Sequence, residues 1–372
     1  MEFVSSRRTF LAGGLALPAL AAAPQSKPVG MSHRTLGKTG LKVAPIGFGC
    51  KGTSEPGVLQ RAFDLGMNLF DTGRMYGNNE RMVGVALKDR RKKAIIATKF
   101  GGMTKEKALA ELEISLKELQ TDYVDIWQFQ NTKTRPEDVT DGVLEAMQTA
   151  KKAGKVRFVG TTSHLNVPMM LAHVLKVGGS DVTMVGYNFT FQPDVTEAID
   201  AARKAGMGII AIKVLAGGYS RIANQPPRFD GPPEALLRTL KQDGAMTASI
   251  RWALKNESID SAAVAMSDYA QVENNVQALS QPYAPADEKL LGAKLAFLAP
   301  RYCRMCGACG GVCDKGVRVS DMLRFLTYAE GYRDFPQARQ GYLDLPVEER
   351  QIHCSDCRSC TVNCPNGVEV RN

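Results

Sequence analysis

Several things this sequence lacks bound its reading before any motif is considered. No G-x-G-x-x-G follows the first strand-like segment, which removes the dinucleotide fingerprint expected of a doubly wound open sheet. Histidine is scarce, with 4 in 372 residues, and His33, His173 and His353 fall in a hairpin, a helix and a linker where no chemistry is assigned to them. A long apolar run is also missing from the N-terminus: Phe10 to Ala23 contains glycines and a proline and is too short to span a bilayer comfortably, so a permanent membrane span is not expected. Dense basic charge is scarce as well. The formal net charge of +9 is spread along the chain, and "KDRRKK" at Lys88 to Lys93 is the one concentrated run. It lies between a helical and a strand-like segment, reads as a solvated turn, and gives no reason to expect nucleic acid as a partner.

What is present describes a soluble globular protein, 44% hydrophobic and 23% charged. At the N-terminus, Arg7 and Arg8 precede the short apolar run and a small-residue site at Ala21 to Ala23. That order reads as a twin-arginine export signal over residues 1–30 with its linker, and the expected location is the periplasm or another exported site. No cysteine follows the run, so a lipid anchor is not expected.

The middle of the chain is rhythmic. Short apolar, β-branched runs recur at Ile46–Gly49, Asn68–Phe70, Ala94–Lys99, Val124–Phe129, Arg157–Thr161, Val182–Tyr187, Gly208–Val214 and Ser261–Met266. Helical patterns separate them, such as "TKEKALAELEISLKELQ" with Ala108, Leu109, Leu112, Leu116 and Leu119 on one face, and "PDVTEAIDAARKAG" closing at Gly206. Eight alternations predict an α/β fold, a closed (β/α)8 barrel over residues 31–290. Before the first strand, "HRTLGKTGLKVAPIG" predicts a hairpin turning at Lys38 to Gly40 that plugs the barrel's bottom.

Chemistry in such barrels belongs at the C-terminal strand ends. There the second strand closes in "NLFDTGRMYGNNE", with Asp71 and Tyr76, and the third ends at Lys99. A buried lysine paired with Asp71 is expected to lower the pKa of Tyr76 and make its hydroxyl a proton donor to a carbonyl oxygen. In "FDTGRMYGNNE", "ATKFG", "GKVRFVGTTSH" and "MVGYN" the chain resembles the aldo-keto reductases, from Arg34 to Leu279. The resemblance implies a barrel that binds a nicotinamide cofactor without a Rossmann motif and transfers hydride to an aldehyde or ketone. It places cofactor contacts on Thr162, Ser163, Lys213, Leu215, Ser267 and Asn275.

The departures from the family are specific. Gln130 stands where the family has the histidine that orients the carbonyl; it donates a hydrogen bond but cannot relay a proton. Met184 replaces a glutamine that grips the carboxamide, Ile212 falls at the stacking aromatic, and Ala265 and Gln271 stand where a 2'-phosphate would be clamped. NAD(P)H is therefore only weakly supported. His164, after Ser163, is read either as a pocket residue or as a histidine satisfied by its loop. "AGGYSRIANQPPRFDGPP" is read as a lid over the substrate, with a surface loop as the alternative.

Nine cysteines complete the inventory, eight of them in two runs of C-x2-C-x2-C-x3-C, Cys303 to Cys313 and Cys354 to Cys364, with Pro365 behind the second. This spacing resembles that of two-cluster bacterial ferredoxins. By that resemblance, Cys303, Cys306, Cys309 and Cys364 hold one [4Fe-4S] cluster, and Cys354, Cys357, Cys360 and Cys313 the other. Asp314 departs from the proline expected after the first run. Disulfides and zinc are the alternatives, although zinc sites use paired C-x2-C units. Residues 291–372 are thus expected to form a small, mostly helical ferredoxin-type domain, with "VSDMLRFLTYAEGY" as one helix. Cys50 stands alone and reads as a small buried residue.

The combined expectation is an exported oxidoreductase that interconverts a small-molecule carbonyl and alcohol, with two clusters relaying electrons to a partner protein. The alternative is an iron-sulfur electron-transfer protein whose barrel is a docking or sensing scaffold without nicotinamide turnover.

Overall fold

In the computed structural model, residues 31–130, 136–191, 193–216, 244–300, 302–309, 311–331, 334–352, 354 and 360–370 are described. Two short strands open the fold, β1 (Arg34–Thr35) and β2 (Lys42–Val43), paired antiparallel across a turn closed by Gly40 at φ 76°. Eight parallel strands follow: β3 (Ile46–Gly49), β4 (Leu69–Asp71), β5 (Ile95–Phe100), β6 (Val124–Phe129), β7 (Val156–Ser163), β8 (Val182–Gly186), β9 (Gly208–Ile212) and β10 (Ser261–Ala265). They close into a barrel in chain order, with β10 pairing β3. The predicted barrel is present, and every predicted strand lies within two residues of its observed bounds at each end.

Period-two alternation sorts each strand's side chains into two cores. Leu69, Ile95, Ala97, Ile126, Val182, Met184, Ile210 and Ala263 fill the interior. Their outward neighbours, among them Phe70, Ile96, Trp127, Val159, Val185 and Ile209, pack under the surrounding helices. The hairpin completes the inner core from below: Leu36, Leu41 and Val43 belong to the same cluster. Gly37, at φ +49°, is needed there, because a Cβ at that position would come within 2.3 Å of the Gly208 amide nitrogen.

The helices begin and end for local reasons. In α1 (Pro56–Asp64) a proline occupies the first turn, where its missing N–H costs nothing. After α2 (Asn79–Leu87), α3 (Lys105–Leu119) is capped by the Thr104 hydroxyl, which accepts from the Lys107 amide, and it ends at Gln120 in left-handed backbone. The remaining barrel helices are α4 (Asp141–Lys152), α5 (Val167–Val177), α6 (Pro193–Lys204), α7 (Ala245–Leu254) and α8 (Tyr269–Gln277). The basic run at Lys88 to Lys93 is only partly solvated. Arg91 reaches inward, pairing with Asp125 at 2.9 Å and donating to the Tyr123 carbonyl at 2.8 Å, so it fastens the start of β6.

Beyond α9 (Pro285–Leu298) the chain turns back over the barrel mouth. The first cysteine run leads into α10 (Val319–Leu326), a π-helical turn at Thr327–Gly331, α11 (Phe335–Leu343) and the short α12 (Val347–Arg350). The helix expected in this region is present. Met305, Phe325, Tyr328, Ala338 and Leu345 form its small core, against which Leu165 of the barrel packs. Polar ties fasten this roof to the strand ends. The Asn166 amide donates to the Met305 carbonyl at 2.9 Å, Lys213 donates to the Tyr328 hydroxyl at 3.1 Å, and Lys51 pairs with Asp334 and reaches Gln337 at 2.8 Å. The twin-arginine segment and most of the proposed lid, residues 217–233, lie outside the described residues. Among the described residues, no helix is long and apolar enough to cross a membrane.

Candidate active site

The register of the barrel brings the three expected residues together. Asp71 ends β4 opposite Ala97, and Lys99 projects inward two residues further along β5. Lys99 Nζ donates to Asp71 Oδ1 and Oδ2 at 2.5 and 2.6 Å and to the Thr72 carbonyl at 2.7 Å. Both side chains are nearly dry, 1% and 8% exposed, so the pair is a desolvated one. Tyr76 follows in the turn between β4 and α2, its ring centroid 5.2 Å from Lys99 Nζ and 5.5 Å from Lys51 Nζ. Tyr76 shares the cavity lining with Lys99 and Gln130.

One expectation is corrected here. Burial pushes the Tyr76 phenol up; Lys99 and Gln130 pull it down without overcoming that, and its pKa sits above the ordinary value. Burial also opposes the Lys99 ammonium, but Asp71 and Tyr76 outweigh it and hold Lys99 above its usual value. Asp71 is raised by its own burial, which Lys99 only partly offsets. The arrangement thus keeps a protonated phenol beside a fixed cation. That suits a group that gives a proton as negative charge develops on a carbonyl oxygen, since the ammonium then stabilises the phenolate left behind.

Around these groups lies a cavity of about 390 Å³. Its floor is Asp71, Lys99 and Met184, and one wall runs from Ile212 to Leu215 and Ala263 to Ser267. The roof segment supplies Tyr328, Asp334 and Gln337. Of the residues assigned to the cofactor, Lys213, Leu215 and Ser267 line this cavity. Thr162 and Ser163 are buried at the end of β7 and stand behind it, and Asn275 is buried in α8. The Thr162 and Ser163 hydroxyls have no hydrogen-bond partner, nor does Gln130 Oε1. The orphaned Gln130 oxygen beside an apolar wall fits the amide and ring of a nicotinamide, whereas Thr162 and Ser163 do not line the cavity and Met184 offers no hydrogen bond where an amide would have. His164 lines the cavity with both ring nitrogens buried and unpartnered. Burial first, then the charges of Lys213, Lys99, Lys51 and Arg324, push it well below the usual imidazole value, so it is neutral.

The cysteines form a second cluster of groups. Cys303 is pushed up to about 11, first by burial and then by Cys306, Cys309 and Cys364 close by. Cys309 is likewise raised, by burial and then by Cys364 and Cys306. Asn366 donates to Cys306 Sγ at 3.3 Å and holds Arg304 at 2.9 Å. The two runs also touch, because the Thr361 hydroxyl donates to the Val312 carbonyl at 2.9 Å. Cys303, Cys306, Cys309 and Cys364 are the cysteines that the ferredoxin spacing would assign to one cluster. Thiols that would repel one another as bare thiolates suit a shared cationic centre. No three described histidine, cysteine or carboxylate side chains converge on a single metal ion. A cube of four irons takes one thiolate at each corner and so holds them further apart than one ion does. Of the second quartet, Cys313, Cys354 and Cys360 are described and unbridged, and Cys357 lies outside the described residues. Cys50 is fully buried in the core, as expected.

Sequence reasoning missed Lys51 and the whole roof: Tyr328, Asp334, Gln337 and Met305. Lys51 sits two residues past β3 and could have been found by reading every strand end. The others carry no local signal, because contacts between a C-terminal loop and distant strand ends leave no periodicity in sequence.

Comparison with known proteins adds to this geometry. Residues 54–294 match the profile of the aldo/keto reductase family. The chain is 29% identical over 300 residues to L-galactose dehydrogenase of Arabidopsis thaliana, covering 72% of this chain and 94% of that protein. It is 27% identical to L-glyceraldehyde 3-phosphate reductase of Escherichia coli O157:H7, covering 67% of this chain and 88% of that one. Among solved structures, aldo-keto reductase AKR11C1 from Bacillus halodurans in its holo form superposes with a TM-score of 0.60 at 27% identity, covering 71% of this chain and 96% of that chain.

Proposed function

Because the chain belongs to the aldo/keto reductase family and is an oxidoreductase of that type, we propose that it interconverts a carbonyl and an alcohol with Tyr76 as the acid and base. The observation that carries this is the Lys99 ammonium, pinned between the two Asp71 oxygens and the Thr72 carbonyl at the barrel mouth, with the Tyr76 ring beside it. In the reducing direction Tyr76 donates its proton to the carbonyl oxygen and Lys99 stabilises the phenolate. In the oxidising direction the same phenolate takes the proton back. Gln130 orients the oxygen by donating a hydrogen bond but takes no part in proton relay. By the family likeness, Thr162 and Ser163 at the end of β7 would hold the carboxamide edge of a nicotinamide, with Ile212 to Leu215 of the cavity wall against its ring.

When bound, a nicotinamide supplies or accepts the hydride, and [4Fe-4S] clusters on Cys303, Cys306, Cys309, Cys364 and on Cys313, Cys354, Cys357, Cys360 store single electrons. Alcohol oxidation releases two electrons and two protons, so two clusters match one turnover at one electron each, to be drained by a partner protein. The convergence of the first quartet supports this reading, and the Arg7–Arg8 pattern supports export by the twin-arginine route to the periplasm.

A second reading rests on Met184 and Ile212, which give a nicotinamide no amide contact and no aromatic platform: an electron-transfer protein whose barrel is a docking or sensing scaffold. Tyr76→Phe separates the two. Under the enzymatic reading, NADPH-dependent reduction of 4-nitrobenzaldehyde falls by about 10²–10⁴-fold with thermal stability unchanged. Turnover within a few-fold of the parent rules out Tyr76 as the acid.

A further inference from the structure

Three of the five described non-glycine residues in left-handed backbone meet at one point: Asn166 (φ 47°), Lys213 (φ 58°) and Met305 (φ 58°). Such strain persists only where surrounding contacts impose it, and it concentrates at functional sites. Met305 lies inside the first cysteine run, between Cys303 and Cys306, yet it is only 3% exposed. Its amide donates to Cys303 Sγ at 3.4 Å. Its carbonyl accepts from the Asn166 amide at 2.9 Å, two residues past His164 on the cavity wall. Its thioether accepts from Lys213 Nζ at 3.1 Å, and Lys213 lines the cavity just after β9. One residue therefore touches a cysteine of the quartet, the loop after β7 and the loop after β9.

Resting on the cluster reading above, we infer that Met305 is a positioning residue that locks the barrel cavity to the first cysteine quartet, so that loading the quartet stiffens the cavity wall. Without a cluster, the Cys303 and Cys306 sulfurs are held only by the weak bonds they accept from the Met305 amide and from Asn366, so the left-handed loop and its two ties into the barrel open more often. With a cluster, the loop is fixed at two flanking thiolates, and Met305 is driven against Asn166 and Lys213. The coupling is carried by two distinct contacts, a backbone tie to Asn166 and a side-chain tie to Lys213, which can be separated.

The test is hydrogen–deuterium exchange read by mass spectrometry on the full chain, cluster-free and after anoxic reconstitution with iron and sulfide, with iron and sulfide assayed in each sample. Loading is expected to slow exchange at least tenfold in peptides covering residues 164–168 and 211–216. In Met305→Ala, at equal iron content and visible absorbance, that slowing is lost at 211–216, where the thioether is missing, but kept at 164–168, which is tied through the backbone carbonyl, while residues 303–309 remain protected. Met305→Leu, which restores the volume without the thioether, does not recover the slowing at 211–216. Equal exchange in loaded and cluster-free protein overturns the coupling, as does full slowing in Met305→Ala. Recovery of 211–216 by leucine reduces Met305 to packing and overturns the tie to Lys213. Failure to take up iron and sulfide is a separate result, read in the assay itself, and it removes the cluster reading together with the inference built on it.

Discussion

The buried Asp71–Lys99 pair offers the sharpest test of the site, because its loss has a magnitude, a ceiling and a sign with pH. Replacing Asp71 with Asn keeps the shape and one acceptor oxygen but leaves the Lys99 ammonium, 1% exposed, without a counter-charge. Breaking one side of a buried pair costs about 3–5 kcal/mol. The ceiling comes from neutralising the stranded group instead: about 3.4 pKa units separate a free lysine from pH 7, or about 4.6 kcal/mol. Lys99→Met strands the Asp71 carboxylate, with about 3.1 units to pH 7 and about 4.2 kcal/mol. Each single variant is thus expected to lower the thermal midpoint of the barrel, followed by circular dichroism, by about 6–20 °C. The double variant Asp71→Asn/Lys99→Met leaves no orphaned charge and should regain more than half of the loss, while remaining inactive.

The pH slopes have opposite signs. In Asp71→Asn the folded-state pKa of Lys99 is depressed, so the unfolded chain binds more protons, and the penalty shrinks as pH rises from about 7 to 9. In Lys99→Met the pKa of Asp71 is raised further, the folded chain binds more protons, and the penalty shrinks as pH falls from about 7 to 5. Each slope approaches about 1.4 kcal/mol per pH unit. A single variant within about 1 kcal/mol of the parent, or two slopes of the same sign, would refute the picture of a desolvated pair.

Three further outcomes are expected. Since burial holds the Tyr76 phenol above its ordinary value, carbonyl reduction at saturating substrate should stay level across neutral pH and fall only above about pH 10; a decline centred near neutrality would assign the proton to another group. His164 is held neutral with a depressed pKa, so the unfolded chain takes up a proton first as pH drops below about 6.5 and stability falls with it; His164→Leu should flatten that loss in a thermal-midpoint titration, and an unchanged slope would place it elsewhere. Cys364→Ala should remove about four of about eight irons per chain and leave the second cluster's visible absorbance, whereas loss of none contradicts the crossed ligand set.

The barrel was readable because parallel strands buried on both faces are short apolar runs, and turn residues mark their ends. Asp71, Tyr76, Lys99 and Gln130 were readable because strand ends and family motifs coincide on them. The sign of the Tyr76 shift was not. A neighbouring charge is visible in sequence, but the depth of burial that outweighs it depends on the whole fold. Met305 was hidden differently, as a spacer in the first cysteine run whose thioether, carbonyl and amide all find partners far away or across a turn. The cysteine spacing singled out a quartet while saying nothing of the surface its loop rests on.

The stopper at the barrel's lower end deserves a final consequence. Leu36, Leu41 and Val43 close that end with packed hydrocarbon, so among the described residues the barrel is a vessel with one opening. Water, substrate and product must all use the side occupied by Tyr328, Asp334 and Gln337. A molecule lodged there would halt every exchange at once, and its effect on turnover would look like simple competition with the substrate even if it never touched Tyr76.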